Sequence, residues 1–420
     1  MSEIKKLIER LCPDGVEYKK LGELGTFYGG LTGKSKKDFG NGNAKFITYM
    51  NVYSNPALDL SVTDTVQIAE GEKQNKVQYK DILFTGSSET PEESGMTSVI
   101  TKEIQEDFYL NSFCFGLRLF NPDLFNADFL KHYFRSHEAR KAIARTASGV
   151  TRFNVSKAKL ANFEIPVPPI EVQRKIVEYL DNFTELEAEL EAELEARRKQ
   201  YEYYRNQLLT FDKVGVARFD VKWMTLGEIC SSIKDGMHNL PKTAKIGEGE
   251  IPVLSALNIN NGIDYTAKRY VDLETYEIEN KRTNVKKNDI LLTIVATIGR
   301  SAVVKEDRKI LLQRSVCVLK LKNLVISQYV KYYLDTTKMQ MYMQSNAHGS
   351  AQAGLYLNQV ADIPIPISSL EEQQRIVSIL DRFEALTTDL QSGLPAEIQA
   401  RRKQYEYYRE KLLTFKRKTA

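Results

Sequence analysis

RRKQYEYYR, residues Arg197–Arg205, recurs without change as Arg401–Arg409. The LLTF that follows the first copy, Leu208–Phe211, also follows the second copy as Leu412–Phe415. Such a long identical match indicates an internal duplication. Because the two copies lie about 200 residues apart, every other segment of the chain has to be compared with its counterpart at that distance.

Further matches extend the repeat over nearly the whole chain. The clearest pairs share Pro-x-Pro, Asp-Ile-Leu-x-Thr or Leu-Gly-Glu, and they are Ile165–Pro168 with Ile363–Pro366, Asp81–Thr85 with Asp289–Thr293, and Leu21–Glu23 with Leu226–Glu228. Each unit is therefore a variable globular part followed by a helical part. The period is far longer than the roughly 20–50 residues of a solenoid repeat, which favours duplication of a whole module and pseudo-twofold symmetry.

The helical part of the first copy carries apolar residues three, four or seven apart from Ile170 to Phe211, without Gly or Pro. This pattern predicts one amphipathic helix of about 60 Å at about 1.5 Å per residue. A helix of this length needs a partner for its apolar stripe. The matching second segment predicts a long antiparallel, coiled-coil-like helix pair.

Both helical parts contain a feature that bears on helix length. Glu-Leu-Glu-Ala begins at Glu185, Glu189 and Glu193, and we expect these glutamates on a solvated face. Removing one tetrapeptide would shorten the helix by about 6 Å without breaking the apolar stripe. In the second copy Ser392–Pro395 replaces one tetrapeptide, and its Gly and Pro predict a kink or a restarted helix there.

The globular parts predict a mixed α/β (α+β) fold. Short strand-like runs are separated by turns rich in Gly, Asn and Lys, and the runs are 45–49, 81–85, 113–119, 251–254, 290–295 and 316–321. A helical stretch is expected near each domain's end, at Ala127–Ala144 and Ser327–Gln344. The two Pro-x-Pro segments should hold extended connections. The predicted divisions are a first globular domain with a short N-terminal helix (1–165), a first long helix (166–215), a second globular domain (216–363) and a second long helix kinked near 392–395 (364–420).

Composition and charge limit the functional classes. The net charge of +4 conceals an uneven distribution: Glu171–Phe211 holds six Lys/Arg and ten Asp/Glu, and Leu370–Phe415 holds seven and eight. The remaining chain therefore has a basic excess, which permits nucleic-acid binding without establishing it. No apolar run is long enough to span a bilayer, and the N-terminal residues do not show the apolar region of a secretory signal, so we expect a cytoplasmic protein.

We find no catalytic or metal-binding pattern. Gly29–Ser35 resembles a phosphate-binding loop but has Tyr28 where the first Gly is required, so a basic loop facing DNA phosphates is favoured there. The chain contains neither an Asn-Pro-Pro methyltransferase motif nor a Gly-rich dinucleotide loop after a strand. The four cysteines form no Cys-x-x-Cys pair and are expected as buried free thiols, and the four histidines lack ligand spacing.

The globular parts do offer side chains suited to DNA beside predicted turns. Lys and Arg neutralise phosphates, while Arg, Asn and Gln pair with guanine or adenine edges. The candidates in the first domain are Lys34, Ser35, Lys36, Lys37, Thr48, Tyr49, Asn51, Ser87, Thr151, Arg152 and Asn154. The candidates in the second are His238, Lys242, Ser255, Asn258, Arg300, Arg314 and Gln352.

The order of variable domain, long helix, variable domain and long helix resembles the specificity subunit of type I restriction-modification systems. The Pro-x-Pro entry, the Glu-Leu-Glu-Ala tetrapeptides, the Arg-Arg-Lys-Gln-Tyr-x-Tyr-Tyr-Arg block and the Leu-Gly-Glu opener carry this resemblance over nearly the whole chain. It implies that each domain reads one half of a bipartite double-stranded DNA site. It also implies that the helices set the unread spacing, in step with the number of tetrapeptides. Because the two halves differ, the target is predicted to be asymmetric.

The resemblance further implies the partners. Two modification subunits that carry S-adenosylmethionine and methylate adenine would dock on the helices, and motor-nuclease subunits that use ATP and Mg²⁺ would join them. This chain itself would bind no cofactor or metal and catalyse nothing. The residues assigned to partner contact are Arg197, Arg198, Tyr201, Tyr204, Arg401, Arg402, Tyr405 and Tyr408.

Two other functions are compatible with parts of the sequence. A coiled-coil scaffold whose globular ends bind proteins would explain the acidic helices, but not the paired, diverged basic domains. Salt-dependent affinity for duplex DNA would separate it from a DNA reader. A self-sufficient methyltransferase-nuclease would need cofactor and catalytic motifs that the chain lacks.

Overall fold

The computed structural model describes residues 2–211, 221–241, 245–247, 250–260, 262–349, 353–389 and 392–418. Their contacts divide the chain into two compact units. The first unit contains Met1–Glu191 and Glu397–Ala420, and the second contains Ala192–Ala396. Each unit therefore combines one globular domain with residues from both long helical segments, whereas the sequence suggested four consecutive parts.

Helices account for the start of the chain, the domain ends and the two long segments. In chain order, α1 to α14 are Ser2–Leu11, Leu21–Leu24, Tyr49–Ser54, Ala127–Phe134, His137–Ala144, Lys157–Leu160, Ile170–Leu208, Leu226–Ile229, Leu273–Glu279, Ser327–Leu334, Thr337–Ser345, Leu357–Ala361, Leu370–Thr388 and Leu394–Leu413. Short 3₁₀ helices lie at Lys36–Asp38, Pro122–Leu124 and Ala256–Asn258.

The strands are short and lie mostly in the globular domains. In chain order, β1 to β22 are Tyr18–Lys20, Gly25–Gly29, Phe39–Ile47, Thr65–Val66, Ile82–Thr85, Ser87–Ser88, Thr97–Val99, Phe108–Leu110, Cys114–Leu119, Ala147–Ser148, Phe153–Val155, Glu164–Pro166, Lys222–Thr225, Cys230–Asp235, Lys245–Ile246, Ile251–Leu254, Arg269–Val271, Ile290–Thr293, Ser301–Val303, Leu311–Leu312, Val316–Leu321 and Pro364–Ile367.

The two domains share one sheet topology. In the first domain the order β2-β9-β5-β7 forms an antiparallel sheet, and β4-β3-β8 forms a second sheet with a parallel β3–β8 pair. The second domain repeats this arrangement with β14-β21-β18-β19 and with a parallel β16–β20 pair. The mixed α/β expectation is confirmed, and the duplication seen in the sequence is also a duplication of topology.

The Asp that opens each Asp-Ile-Leu-x-Thr repeat has a structural role. Asp81 is almost fully buried and accepts hydrogen bonds from the Arg118 guanidinium at 2.6 and 3.0 Å. Asp289 accepts a hydrogen bond from the Lys320 ammonium at 2.5 Å in the same way. Each carboxylate also accepts from the backbone amide three residues before it, at 2.8 Å in both domains. The buried charge is thus paired and hydrogen-bonded, as burial requires.

The Thr that closes each repeat ties the central strand to its neighbour. The Thr85 hydroxyl accepts a hydrogen bond from the backbone amide of Met96 at 2.9 Å, and the Thr293 hydroxyl accepts from that of Arg300 at 2.9 Å. Both threonines are fully buried. An apolar residue here would leave a backbone donor without its partner.

The first and last strands of each domain pair with each other. β1 pairs with β12, so that Tyr18 lies opposite Pro166, and β13 pairs with β22, so that Trp223 lies opposite Pro366. The first Pro-x-Pro segment begins at the last residue of β12, and the second lies wholly within β22, so both are tied to two-stranded sheets rather than being free linkers. Proline is tolerated because these strands have an unpaired edge.

Each helical stretch at a domain end is two helices, where the sequence suggested one. α4 ends at Phe134 and α5 begins at His137, with Ser136 capping α5 through a bond from the Ala139 amide. α10 and α11 are separated in the same way by Thr336, which caps α11. Ser and Thr favour such caps because their hydroxyls satisfy backbone donors at a helix start.

The first long segment is one helix, α7, and the second is two. α13 ends at Thr388 and α14 begins at Leu394, so the interruption lies where the tetrapeptide is replaced. A Cβ on Gly393 would lie 2.7–2.9 Å from three backbone carbonyl oxygens at the end of α13. This close approach requires Gly, and Pro395 lies in the first turn of the restarted helix, where its missing N–H costs nothing.

The tyrosine block packs on a different aromatic side chain in each unit. In the first unit the Tyr408 ring lies 5.4 Å from Phe183, and Arg402 donates to Glu187 and Glu191 across the helix pair, both at 2.5 Å. In the second unit the Tyr204 ring stacks on Phe383 at 5.5 Å. Glu185, Glu189 and Glu193 are exposed, in keeping with a solvated face.

A buried glutamine joins each globular domain to its long helix. The Gln173 side chain donates to the carbonyls of Leu124 and Pro168, at 2.8 and 2.7 Å, and accepts from the amide of Asn126 at 2.8 Å. Gln373 makes the corresponding set in the second unit. Both side chains are fully buried, so each amide is held in one orientation by backbone groups.

Replacement of Gln173 by Leu should destabilise the first unit by about 3 kcal/mol, because buried backbone groups lose their partners. Native-state hydrogen exchange at the β5 amides measures the loss. Gln207→Leu, on an exposed position of α7, is the control and should leave exchange unchanged. A similar effect of both variants would contradict the role assigned to Gln173.

The first unit should also respond to pH through His132. Its imidazole is buried, with Nε2 2.7 Å from an Asp181 oxygen and Nδ1 2.8 Å from the Tyr405 hydroxyl, which suits the neutral ring. Burial lowers the pKa of His132 below its ordinary value of 6.5. The charge of Lys131 also lowers this pKa, whereas Asp181 raises it without cancelling the effect of burial. The unfolded chain therefore binds the proton first, and stability is lost as the pH falls below the unfolded value.

The test compares wild type with His132→Gln, which keeps a donor and an acceptor. The unfolding free energy of wild type should fall relative to that of the variant as the pH is lowered from about 7.5 to about 5. A constant difference across this range would show that His132 does not couple folding to pH.

Candidate nucleic-acid interface

Four loops of the first domain come together at one end of its main sheet. They are residues 48–54 with helix α3, 86–95 after β5, 111–113 before β9, and 148–154 at the tip of the β10–β11 hairpin. The backbone amide of Gly86 donates to Phe113 at 2.7 Å, and that of Val155 donates to Gly86 at 2.9 Å. The Tyr49 hydroxyl donates to the carbonyl of Ser87 at 2.8 Å. We call these four segments the recognition loops of the first domain.

A groove of about 560 Å³ lies between these loops. Its walls combine hydroxyl, aromatic, acidic and basic side chains, and the lining residues are Tyr49, Met50, Tyr53, Ser87, Ser88, Glu89, Glu93, Thr151 and Arg152. Four residues that the sequence singled out, Tyr49, Ser87, Thr151 and Arg152, are therefore brought together although they are up to about 100 residues apart.

Arg152 is the positively charged residue among those that line the groove. It is exposed, and its guanidinium lies 5.6 Å from the centre of the Phe113 ring, which is itself exposed. This contact positions the side chain without occupying its hydrogen-bond donors. Thr151 and Asn154 are exposed on the same hairpin, so the tip carries three groups that can donate to DNA.

Two predicted contact residues mainly hold the loop itself. Thr48 caps α3 by accepting from the Asn51 amide at 3.2 Å. Asn51 is buried, donates to the carbonyl of Asp59 at 2.8 Å and accepts from the Asn55 side chain at 2.9 Å. With its amide used in this way, Asn51 is a brace for the loop that presents Tyr49.

The basic segment Lys34–Lys37 does not line the groove. Lys34 is largely buried and donates to Glu72 and to the carbonyl of Gln67, both at 2.6 Å. Ser35 donates to Asp38 at 2.8 Å. Lys36 and Lys37 are exposed. Contact of this segment with DNA phosphates stays a prediction, and its free charges are Lys36 and Lys37 rather than Lys34.

Two arginines beneath the groove hold its walls. Arg135 donates to the carbonyls of Val52 and Tyr53, at 3.1 and 2.9 Å, at the end of α3. Arg140 donates to three carbonyls of the 86–95 loop, including those of Gly95 and Ser94. Burial lowers the pKa of each to about 10. Each guanidinium therefore fixes one recognition loop by bonding to its backbone carbonyls.

The second domain repeats the loop arrangement. Its recognition loops are 255–258, 294–299, 313–315 and the described ends of 348–354. The amide of Ile294 donates to Ser315 at 2.9 Å, and that of Leu355 donates to Ile294 at 2.8 Å, matching the contacts of Gly86 in the first domain. Gln340 donates to the carbonyl of Gly299 at 2.8 Å, where the first domain uses Arg140 on Gly95.

The predicted residues of the second domain divide in the same way. Asn258 is buried and braces its loop, because its side chain donates to the carbonyls of Thr266 and Asp264 at 2.9 and 3.0 Å. The Ser255 hydroxyl donates to the side-chain oxygen of Asn258. Arg300 and Arg314 are exposed, and their guanidiniums make no hydrogen bond or ion pair with any residue that the structure describes. His238 is exposed and lies 3.0 Å from Asp235.

Two further candidates, Lys242 and Gln352, lie outside the described residues. Gln352 aligns in sequence with Arg152 of the first copy.

Sequence reasoning missed several exposed apolar and acidic groups in these loops. Met50 is 59% exposed and Leu257 is 82% exposed, and they occupy the same position of the matching Thr-Tyr-Met-Asn and Ser-Ala-Leu-Asn segments. Phe113 and Glu89 were also overlooked. The alignment of the two copies could have indicated Met50 and Leu257, because an apolar residue recurs beside a polar brace.

The residues predicted to contact partner proteins are used largely inside the units. Tyr405 bonds to His132, Tyr408 packs on Phe183 and Tyr201 is mostly buried, while Arg402 is paired. Arg198 is exposed. Arg197 and Arg401 bond to neighbours on their own helices, and Tyr204 is partly exposed. Partner contact by these residues stays a prediction.

The most exposed tyrosines of the block are Tyr203, 60% exposed, and its counterpart Tyr407, 58% exposed.

Within the described residues, no group of three or more His, Cys, Asp or Glu side chains is placed to hold a metal ion. The cysteines are free, and burial raises the pKa of Cys114 and of Cys230 to about 12, which makes them unreactive thiols. None of the helices in the part of the chain searched combines the length and the apolar character that crossing a membrane requires.

Comparison with known proteins accounts for this architecture. The family model for the type I restriction modification DNA specificity domain matches twice, at residues 13–196 and 220–400. A chain of Haemophilus influenzae assigned as a type I restriction enzyme specificity subunit is 34% identical over 64% of this chain and 68% of its own length. The EcoR124I/EcoR124II specificity subunit of Escherichia coli is 32% identical over 63% of this chain and 65% of its own.

A solved structure supports the fold. A chain from a study of the assembly and conformational transition of the type I restriction-modification system superposes with a TM-score of 0.66. It covers 95% of this chain and 97% of its own, at 16% identity, so the likeness concerns the fold alone. The two matches of the family model span most of the chain, one for each unit of the duplication. The chain therefore belongs to the family of type I restriction-modification DNA specificity proteins.

Proposed function

We propose that the chain is the DNA-reading subunit of a type I restriction-modification complex, in which each domain reads one half of a bipartite double-stranded site. The observation that carries this proposal is the same set of four loops on the same sheet in both domains, with different side chains at their tips. A scaffold that holds loops constant and varies their tips suits recognition of different short sequences.

The charges at the loop tips fit DNA rather than another protein surface. Arg152 in the first domain, and Arg300 and Arg314 in the second, are exposed and lack acidic partners within the described part of the chain. Arg pairs with guanine edges or with phosphates, and Asn154 with adenine. Because the tips differ, the two half-sites should differ, and the site should be asymmetric.

The helices would set the spacing and carry the partner proteins. The length of α7 between the domains depends on the number of tetrapeptides, at about 1.5 Å per residue. Tyr203 and Tyr407 present matching exposed rings on the two helical segments, as expected for two equivalent docking sites. We assign these sites to two modification subunits, which bring S-adenosylmethionine, with motor-nuclease subunits bringing ATP and Mg²⁺. The chain itself contributes recognition and no catalysis.

The proposal is tested by co-expressing the chain with its modification subunit and sequencing the host DNA for methyladenine. A split, asymmetric motif with a fixed gap is expected. Arg152→Ala should relax one half-site and leave the other intact, whereas Arg314→Ala should do the reverse. A mismatch at one read position should cost about 1–3 kcal/mol. Each variant is the control for the other.

A stable complex without any methylated motif would instead favour the coiled-coil scaffold. Relaxation of both half-sites by either single variant would contradict the assignment of one half-site to each domain. Arg145→Ala, which changes an exposed arginine that does not line the groove, should leave the motif unchanged.

Deletion of one tetrapeptide, Glu189–Ala192, should shorten the unread gap by about one or two base pairs, since it removes about 6 Å of helix. Both half-sites should stay the same, because the recognition loops are untouched. Methyladenine sequencing of the deletion variant measures the gap. An unchanged gap would show that the helix between the domains does not set the spacing.

A further inference from the structure

The groove of the first domain contains two carboxylates with different surroundings. Glu93 accepts hydrogen bonds from the Tyr53 hydroxyl at 3.0 Å and from Ser88 at 3.2 Å, and these bonds lower its pKa. Glu89 lines the same groove and is exposed, and its carboxylate bonds to none of the residues that the structure describes. Glu93 therefore holds the loop, while Glu89 remains available to a ligand.

Arg152 does not neutralise Glu89. Its guanidinium lies over Phe113, and the two charged groups line one groove without forming an ion pair. A carboxylate that faces DNA is repelled by the phosphates, since charges of like sign raise the energy of the complex. It can be tolerated in a DNA-reading groove when it accepts hydrogen bonds from a base.

The bases differ sharply in what they offer to a carboxylate. In the major groove guanine presents two acceptors and thymine one acceptor and a methyl group, so both disfavour it. Adenine presents a donor beside the N7 acceptor. A carboxylate that accepted from this donor would lie close to N7, and the two acceptors would repel each other. Cytosine presents its N4 amine without an acceptor of its own beside it. A carboxylate at this place therefore selects cytosine.

We propose that Glu89 is a specificity-determining residue of the first domain, which accepts a hydrogen bond from the N4 amine of a cytosine. The inference rests on the proposed function, because it assumes that this groove faces DNA. Arg152, which lines the same groove, supplies donors for guanine O6 and N7, so the groove has the opposite charges that a C·G-containing step requires.

The loop that carries Glu89 is held in place before any ligand binds. Arg140 donates to the carbonyls of Glu92, Ser94 and Gly95 in the same loop. At Gly95 the backbone φ is +62°, and a Cβ would lie 2.5 Å from Ile143, so only Gly fits this turn. Little conformational entropy remains to be lost when the loop meets a base, which favours selectivity.

The second domain lacks this group. The matching turn, Thr293–Gly299, has the sequence TIVATIG and contains no acidic residue. Glu89 should therefore act on the first half-site alone, which provides an internal control for any variant.

The experiment uses the complete chain in complex with its modification subunit, in Glu89→Gln, Glu89→Ala and Glu92→Gln forms. Glu92 is exposed in the same loop but does not line the groove. Wild type should methylate sites with cytosine at one position of the first half. Glu89→Gln should move that preference toward adenine, which pairs with the Gln amide through N6 and N7. Glu89→Ala should remove the preference.

Binding to duplexes that carry cytosine or adenine at that position gives the magnitude. Wild type should prefer cytosine by about 10- to 100-fold, and Glu89→Ala by much less. Glu92→Gln should behave as wild type, and the second half-site should be unchanged in every variant.

Three outcomes would overturn the inference: a wild-type motif without a required cytosine in the first half, a Glu89→Gln motif identical to wild type, or equal loss of methylation at every sequence without a change of base preference. Absence of any methylated motif in wild type would be distinct from these, because it removes the proposed function itself and the inference with it.

Discussion

Burial of one four-residue strand at the centre of each sheet governs both domains. Ile82–Thr85 and Ile290–Thr293 are buried along their whole length, so every polar group at their ends must be satisfied within the protein. The Asp before each strand takes a cation from the adjacent strand, and the Thr at its end takes a backbone amide from the opposite neighbour. From that Thr the chain passes directly into a recognition loop. The constraint that stabilises the sheet therefore also determines where the loop begins.

The recognition loops depend on braces rather than on regular structure. Asn51 and Asn258 fill the same role in the two domains, with their side-chain amides bonded to backbone carbonyls a few residues further along. The braces below the loops differ, because Arg140 in the first domain is matched by Gln340 in the second. Both satisfy the carbonyl of a Gly in a left-handed turn. Chemically different side chains can thus support one loop geometry while the exposed tips change.

The repeated tyrosine block shows why identical sequence does not imply an identical role for each residue. Within the block, Tyr203 and Tyr407 are the most exposed tyrosines of the two copies, whereas Tyr405 bonds to His132 and Tyr204, although partly exposed, stacks on Phe383. Tyr405 contacts His132. Its counterpart Tyr201 faces the second domain, in which Tyr332 occupies the position that corresponds to His132. The two interfaces therefore differ chemically although the helices match, and His132 in the first has a pKa that burial lowers.

Much of the fold followed from the sequence by itself, because its signals are local or repeated. The duplication, the long helix Ile170–Leu208, the interruption at Ser392–Pro395 and the strands at Asp-Ile-Leu-x-Thr depend on periodicity, on Gly and Pro, and on comparison of the copies. The class of function followed from the same repeated blocks through their resemblance to a family. These properties do not require knowledge of which distant residues meet.

The site depended on tertiary structure, because side chains far apart in the sequence had to be brought together. The sequence alone cannot distinguish a basic segment such as Lys34–Lys37 from a DNA contact. Only the fold shows that Lys34 forms an ion pair with Glu72. Likewise, only the packing of the hairpin against the turn after β5 places Arg152 and Glu89 in one groove. Burial and pairing determine whether a polar side chain braces a loop or remains free, and both are properties of contacts that the order of residues does not display.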